Sequence, residues 1–381
     1  MTMRIASHSV VTGLDDVPRP LTLELHDGWI VAVHEGITDD AELLDGSLVP
    51  GFVDSHCHGG AGADFTDPDP ARVAAAIEHH RAHGTTSLFA STVTAAPEQA
   101  VEQVARLRGL VESGELAGIH LEGPFLAPER KGAHPEELLC DPRPELLHAL
   151  LEAGAGTVRM VTLAPERQGG MSAVELLAAA GVVPAFGHSD ADAATTRAAV
   201  DAGARVATHL FNAMRPIHHR EPGPVPVLLD DERVVVELIC DGVHLAPEVA
   251  LMALAAAGAN RVALVTDAMS ATGCADGRYQ LGELPVQVSR GTARIVEPDG
   301  RPGAIAGSTL TMDRAVRFLV AHGVALATAS RMASTTPAAA HGLDTVGRLA
   351  PGCRADVCLL GDGARLLRVM RHGHWKQAAT T

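Results

Sequence analysis

The chain has 381 residues, 46 % of them hydrophobic but only 3 % aromatic, and carries a net charge of −16. A core of this kind must be built from Ala, Val and Leu, which suits helices packed on a parallel sheet better than an aromatic-rich β-sandwich. The acidic balance excludes a general nucleic-acid binder, which needs a basic surface. An anionic small substrate stays open, because a local cluster of Arg and His can outweigh a distant negative field. None of the six cysteines forms a C-x-x-C pair, the first residues carry no apolar signal core, and no apolar run reaches the ~20 residues of a membrane span. A soluble, cytoplasmic protein with free thiols is expected.

Residues 1–50 are short and β-like, with two alternating runs around Asp27-Gly28 that signal a hairpin. The middle changes rhythm. Eight apolar runs follow one another: LVPGFVDSH, TTSLFAST, LAGIHLEG, VRMVTLAP, VVPAFGHS, RVATHLFNA, VVVELICDG and RVALVTDAM. Ala/Leu/Glu-rich helical segments separate most of them, several ending in Gly. The sixth connection, RPIHHREPGPVPVLLDDE, is Pro-rich and less clearly helical. The spacing is about 30 residues per unit, the length of one βα unit, and eight units close a (β/α)8 TIM-like barrel. A doubly wound sheet is the competing fold, but no G-x-G-x-x-G opens a helix here. The tail from about Asp344 is again β-like. The expected organisation is therefore a small β-sandwich domain from residues 1–50 and 344–381, with the barrel spanning 51–343.

Placed on that barrel, the polar residues converge. His56 and His58 end the first run, Glu122 the third, His188 the fifth, His209 the sixth and Asp267 the eighth. All fall at strand C-termini, the face on which barrel active sites are built. In H-x-H the two imidazoles share a face, and Cys57 points the other way into packing. Imidazoles and a carboxylate suit zinc or a similar divalent ion, whose bound water has its pKa lowered towards ~7. Asp267 is placed to take that water's proton and return it to a leaving amine. His79, His80 and His83 in EHHRAHG read as solvated helix residues, His372 and His374 as surface residues, and Cys274 receives no role.

These residues resemble the amidohydrolase superfamily, and within it the N-acetylglucosamine-6-phosphate deacetylases. The likeness rests on PGFVDSHCHG, HLEGPF followed by KGAH, FGHS, THLFNAM, DGVH, VTDAM, AGSTLTM and the terminal GRLAPGCRAD. It implies hydrolysis of N-acetyl-D-glucosamine 6-phosphate to the amine and acetate. It makes Glu122, His188 and His209 ligands of the main metal, with His56 and His58 able to hold a second. The cation is expected to be zinc, one or two per subunit, with Fe, Co or Mn as alternatives. Strand four ends VTLAPE without the bridging lysine of many related hydrolases, so Glu122 would bridge. The resemblance further implies that His134 polarises the acetyl carbonyl with Ala133 beside it. Asn212 and Ala213 would contact sugar or phosphate, Arg220 and His244 the phosphate, and Ile305, Ala306 and Gly307 the sugar. It implies a homodimer in which His244 reaches the neighbouring site. Alternatives are a deacetylase for the galactosamine epimer, a dihydroorotase-like enzyme, and a non-catalytic sugar-phosphate-binding regulator. No nucleic acid or membrane partner is expected.

Overall fold

The computed structural model describes residues 2–379. Eight strands lie parallel in one sheet: Phe52–Asp54, Thr85–Thr92, Gly118–Glu122, Val158–Leu163, Val183–Phe186, Val206–Ala207, Val235–Leu238 and Val262–Leu264. Each neighbours the next in chain order. The last meets the first through side chains and loop backbone. Thr266 Oγ1 donates to Asp54 Oδ2 at 2.6 Å, Asp267 N donates to His56 O at 2.8 Å, and a parallel bridge joins Cys57 to Ala268. The expected (β/α)8 barrel is thus the fold. Helices cover the outside, so every residue of Thr85–Thr92 and of Gly118–Glu122 is buried.

The helix starts follow local chemistry. Pro70, Pro97, Pro144 and Pro247 each open a helix, where the missing N–H costs nothing. Asp69 and Asp192 cap theirs by accepting from Ala71 N and Thr195 N. The Pro-rich sixth connection holds one short helix, Val225–Asp230.

Strands from both chain ends form one mixed sheet. Ser47–Pro50 lies between Thr2–Val10 and Val357–Leu360, and the sheet is completed by Arg19–His26, Trp29–Glu35, the short Glu42–Leu43, Leu366–Arg371 and His374–Gln377. The hairpin at Asp27-Gly28 is present, with His26 opposite Trp29 and both turn residues at positive φ, as a two-residue primed turn requires. Residues 277–305 fall within the span expected of the barrel. They form an antiparallel meander, Gly277–Leu281, Leu284–Ser289, Thr292–Val296 and Pro302–Ile305, inserted between the eighth strand and the helix Met312–Ala321.

The reading of EHHRAHG as solvated is corrected. His80 and His83 are buried and His79 is half-buried, because this face of the helix Pro70–Ala82 turns towards the barrel. His80 Nε2 lies 2.8 Å from Gly59 O and 3.3 Å from Cys57 Sγ, and His83 Nδ1 lies 3.1 Å from Asp313 Oδ1. Cys57 does point away from the imidazole pair, into packing. All six cysteines are free. Among the described residues no helix is long and apolar enough to cross a membrane.

Candidate active site

Glu122 ends the third strand and sits at the centre of the site. Its Oε1 faces His209 Nε2 at 2.9 Å and His188 Nε2 at 3.1 Å. Its Oε2 faces His58 Nε2 at 3.1 Å and His134 Nε2 at 3.5 Å. Asp267 Oδ1 lies 3.2 Å from His58 Nε2 and 3.5 Å from His56 Nε2. His56 and His58 approach each other at 3.2 Å, His188 and His209 at 3.1 Å. Such separations between nitrogens match the edge of a tetrahedral shell, about 3.3 Å for bonds of ~2.0–2.1 Å. Imidazole Nε2 atoms that converge this closely on buried carboxylates fit a divalent cation. Burial opposes charge on His56 and His58, but Glu122 and Asp267 outweigh it and raise both rings above their ordinary value. His56, His58, Glu122 and Asp267 form one group of potential ligands. Burial opposes charge on Glu122 and Asp267, but the surrounding imidazoles outweigh it. They hold Glu122 well below the usual carboxylate range and Asp267 at about 2.

The backbone that presents these groups is unusual. His188, His209 and Asp267 have φ of 50°, 30° and 49°. Non-glycine residues in the left-handed region are strained, and such strain concentrates at functional sites. The segment after the third strand folds over the site. Ala127 N donates to His188 O, and His188 Nδ1 faces Arg130 O at 2.8 Å. Arg130 and Arg215 both pair with Asp190 at 2.7 Å. Gly132, at φ +55°, lies so close that a Cβ would come within 3.1 Å of His188.

His134 is delivered by this segment. Its Nδ1 lies 2.8 Å from Thr94 Oγ1 and accepts from Thr94 N at 3.4 Å. An Nδ1 that accepts leaves the proton on Nε2, which faces the cavity. Burial lowers its pKa to about 4, so the ring is neutral. At the opposite wall, burial disfavours charge on His244, but Asp241 at 2.7 Å overrides this and raises its pKa.

A cavity of about 240 Å³ opens in front of these groups. Ala133, His134, Asn212, Ala213 and His244 line it, as do Ile305 and Gly307. Within one chain His244 lines the cavity, with Asp241 at 2.7 Å holding it there. One expectation needs correction. Ala306 does not line the cavity, because its side chain turns into the apolar cluster of the inserted meander. Arg220 is exposed outside the cavity, hydrogen-bonded to His219 Nε2 at 2.7 Å. Strand four carries Thr162 opposite Glu122, hydrogen-bonded to His120, so no lysine reaches the centre.

Four residues were not foreseen in the sequence: Leu281 and Ala304 of the meander, which join the cavity wall, and Thr94 and Arg130, which brace His134 and His188. Nor was a role foreseen for Glu237, whose carboxylate lies 3.2 Å from His56 Nδ1. A lone charge inside VVVELICDG was the available signal.

Residues 47–376 match the amidohydrolase family, and the chain belongs to it. The chain is similar to the N-acetylgalactosamine-6-phosphate deacetylase of Escherichia coli O157:H7, 40 % identical over 362 residues, covering 92 % of this chain and 93 % of that one. It is 38 % identical over 282 residues to the N-acetylglucosamine-6-phosphate deacetylase of Bacillus subtilis, covering 72 % and 70 %. In structure it resembles the N-acetyl-D-glucosamine-6-phosphate deacetylase D267A mutant of Mycobacterium smegmatis in complex with N-acetyl-D-glucosamine-6-phosphate. That likeness has a TM-score of 0.94 and 46 % identity, covering 98 % of this chain and 99 % of that one.

Proposed function

We propose that the chain hydrolyses the acetamide of N-acetyl-D-glucosamine 6-phosphate to D-glucosamine 6-phosphate and acetate. The observation that carries the reading is the convergence of five imidazoles on Glu122, two of them shared with Asp267, beneath a cavity of about 240 Å³, in a fold shared with deacetylases of amino-sugar phosphates. Glucosamine is preferred over its epimer because the 46 % identical relative holds that ligand.

Glu122, His188 and His209 would hold one divalent cation, and His56 and His58, with Glu122 and Asp267, would hold a second; zinc suits this donor set best. A cation so placed supplies Lewis acidity at the acetyl carbonyl and lowers the pKa of the attacking water. The chain's own residues do the rest. Asp267, a carboxylate at neutral pH, takes the proton of the attacking water and delivers it to the departing amine nitrogen. Neutral His134 offers its Nε2–H to the developing oxyanion, fixed in that tautomer by Thr94. The segment from Ala127 to His134 covers the site and excludes water. His244, favoured in its charged form by Asp241, meets the phosphate.

Among the described residues no lysine or arginine lines the cavity. We assign the remaining phosphate charge to Arg220, in a homodimer, and we place the protein in the cytoplasm, in keeping with its six free thiols. The test is acetate release from N-acetylglucosamine 6-phosphate, its unphosphorylated counterpart and the galactosamine epimer. The phosphorylated glucosamine form should be the best substrate, and Arg220→Ala should raise its KM more than that of the unphosphorylated sugar. Release that ignores the phosphate, or no release from any of the three, would reject the reading.

A further inference from the structure

Glu237 sits on the seventh barrel strand, 1 % exposed. Its Oε2 lies 3.2 Å from His56 Nδ1, and the Nε2 of that same ring points at His58, Glu122 and Asp267. The four candidate ligand rings, His56, His58, His188 and His209, are not supported alike. His188 has a backbone carbonyl, Arg130 O, behind its Nδ1. His58 and His209 have no hydrogen-bond partner at Nδ1 among the described residues. His56 alone has a carboxylate behind it.

We propose that Glu237 is a positioning residue that commits His56 to metal binding by accepting its Nδ1 proton and leaving the Nε2 lone pair facing Glu122 and Asp267. The inference rests on the reading of His56 and His58 as ligands. A neutral imidazole carries one proton. Oε2 accepts from His209 N, so a lone pair on Nδ1 would face a lone pair on Oε2. The tautomer with hydrogen on Nδ1 removes that repulsion.

The other contacts of Glu237 hold it in place without neutralising it. Ser55 Oγ donates to Oε1 at 3.2 Å and His209 N to Oε2 at 3.4 Å, and no lysine or arginine bonds to it among the described residues. Glu122, Asp267 and Glu237 are thus three buried carboxylates with only imidazoles as possible countercharges among their ion-pair partners. Buried charge of this density calls for cations in front of the rings, and Glu237 directs the charge through His56 to one of the two positions.

The test is a zinc titration of metal-stripped protein against a competing chelator, with bound zinc counted, for wild type, Glu237→Gln and Ser55→Ala. Glu237→Gln should weaken one zinc equivalent roughly 10- to 100-fold and leave the other unchanged. Ser55→Ala should change neither by more than a few-fold. Both equivalents binding Glu237→Gln as tightly as wild type would overturn the inference while sparing the two-ion reading. A wild type that takes up a single equivalent would overturn both. A second readout does not depend on the variant folding: 15N spectra of zinc-loaded wild type should show His56 protonated on Nδ1. Protonation on Nε2 would overturn the inference.

Discussion

At the scale of single residues, burial decides what each histidine does. His188 and His209 stand in strained backbone that aims Nε2 at Glu122, whereas His120 lies deeper with Ser91 and Thr162 on its two nitrogens and is kept neutral by burial. His341 is a third kind. It is buried against Phe89, with ring centroids 4.8 Å apart, and burial pushes its pKa down to about 4. In the unfolded chain the same ring takes a proton at ~6.5. Between these values the unfolded state binds more protons, so this residue's contribution is intact above pH ~6.5 and is lost as pH falls towards about 4, at up to ~1.4 kcal/mol per pH unit. Replacing it, as in His341→Leu, should flatten the decline of Tm across that window. An unchanged slope would show that the ring is charged in the native state. The candidate ligands and Asp267 were legible because each follows an apolar run. Burial of His80 and His83 was not, because the helix Pro70–Ala82 alternates too weakly to reveal which side faces inward.

At the scale of elements, loops beyond the strand ends carry the chemistry, and salt bridges between loops keep them in register. Asp190 receives Arg130 from the segment covering the site and Arg215 from the loop after the sixth strand. Glu166 in turn accepts from Ser189 Oγ and Asp190 N. Half-exposed pairs of this type contribute only ~0.2–1 kcal/mol each. Asp190→Ala should therefore leave Tm nearly unchanged while amide exchange across residues 127–134 accelerates several-fold. Unaltered exchange would mean that the His188 contacts alone hold the segment. The strand rhythm and the Asp27-Gly28 hairpin could be read directly. The meander could not be separated from the barrel, although Ser289 and Thr292 flank a second two-residue turn at Arg290-Gly291, because nothing local says that a hairpin lies outside the βα alternation.

At the scale of the whole molecule, chain-distant segments meet at one end of the barrel. The closure that joins Asp54 to Thr266 also sets His56 and His58 beside Asp267. The meander then adds Leu281, Ala304 and Ile305 to the cavity wall. Strand order and spacing made this end of the barrel legible. Which loop residues reach inward was not, because exposed Arg220 and cavity-lining His244 sit in similarly polar loops and only the folded path separates them. The central claim is that Asp267 moves the protons of amide hydrolysis in a site that binds its substrate by other groups. The most direct measurement is the turnover of Asp267→Asn on N-acetylglucosamine 6-phosphate, alongside its affinity for that sugar, with bound metal counted in both proteins. The account predicts a loss of kcat of about 10²- to 10⁴-fold with Kd within a few-fold of wild type. A metal-loaded variant that still turned over at close to the wild-type rate would contradict it.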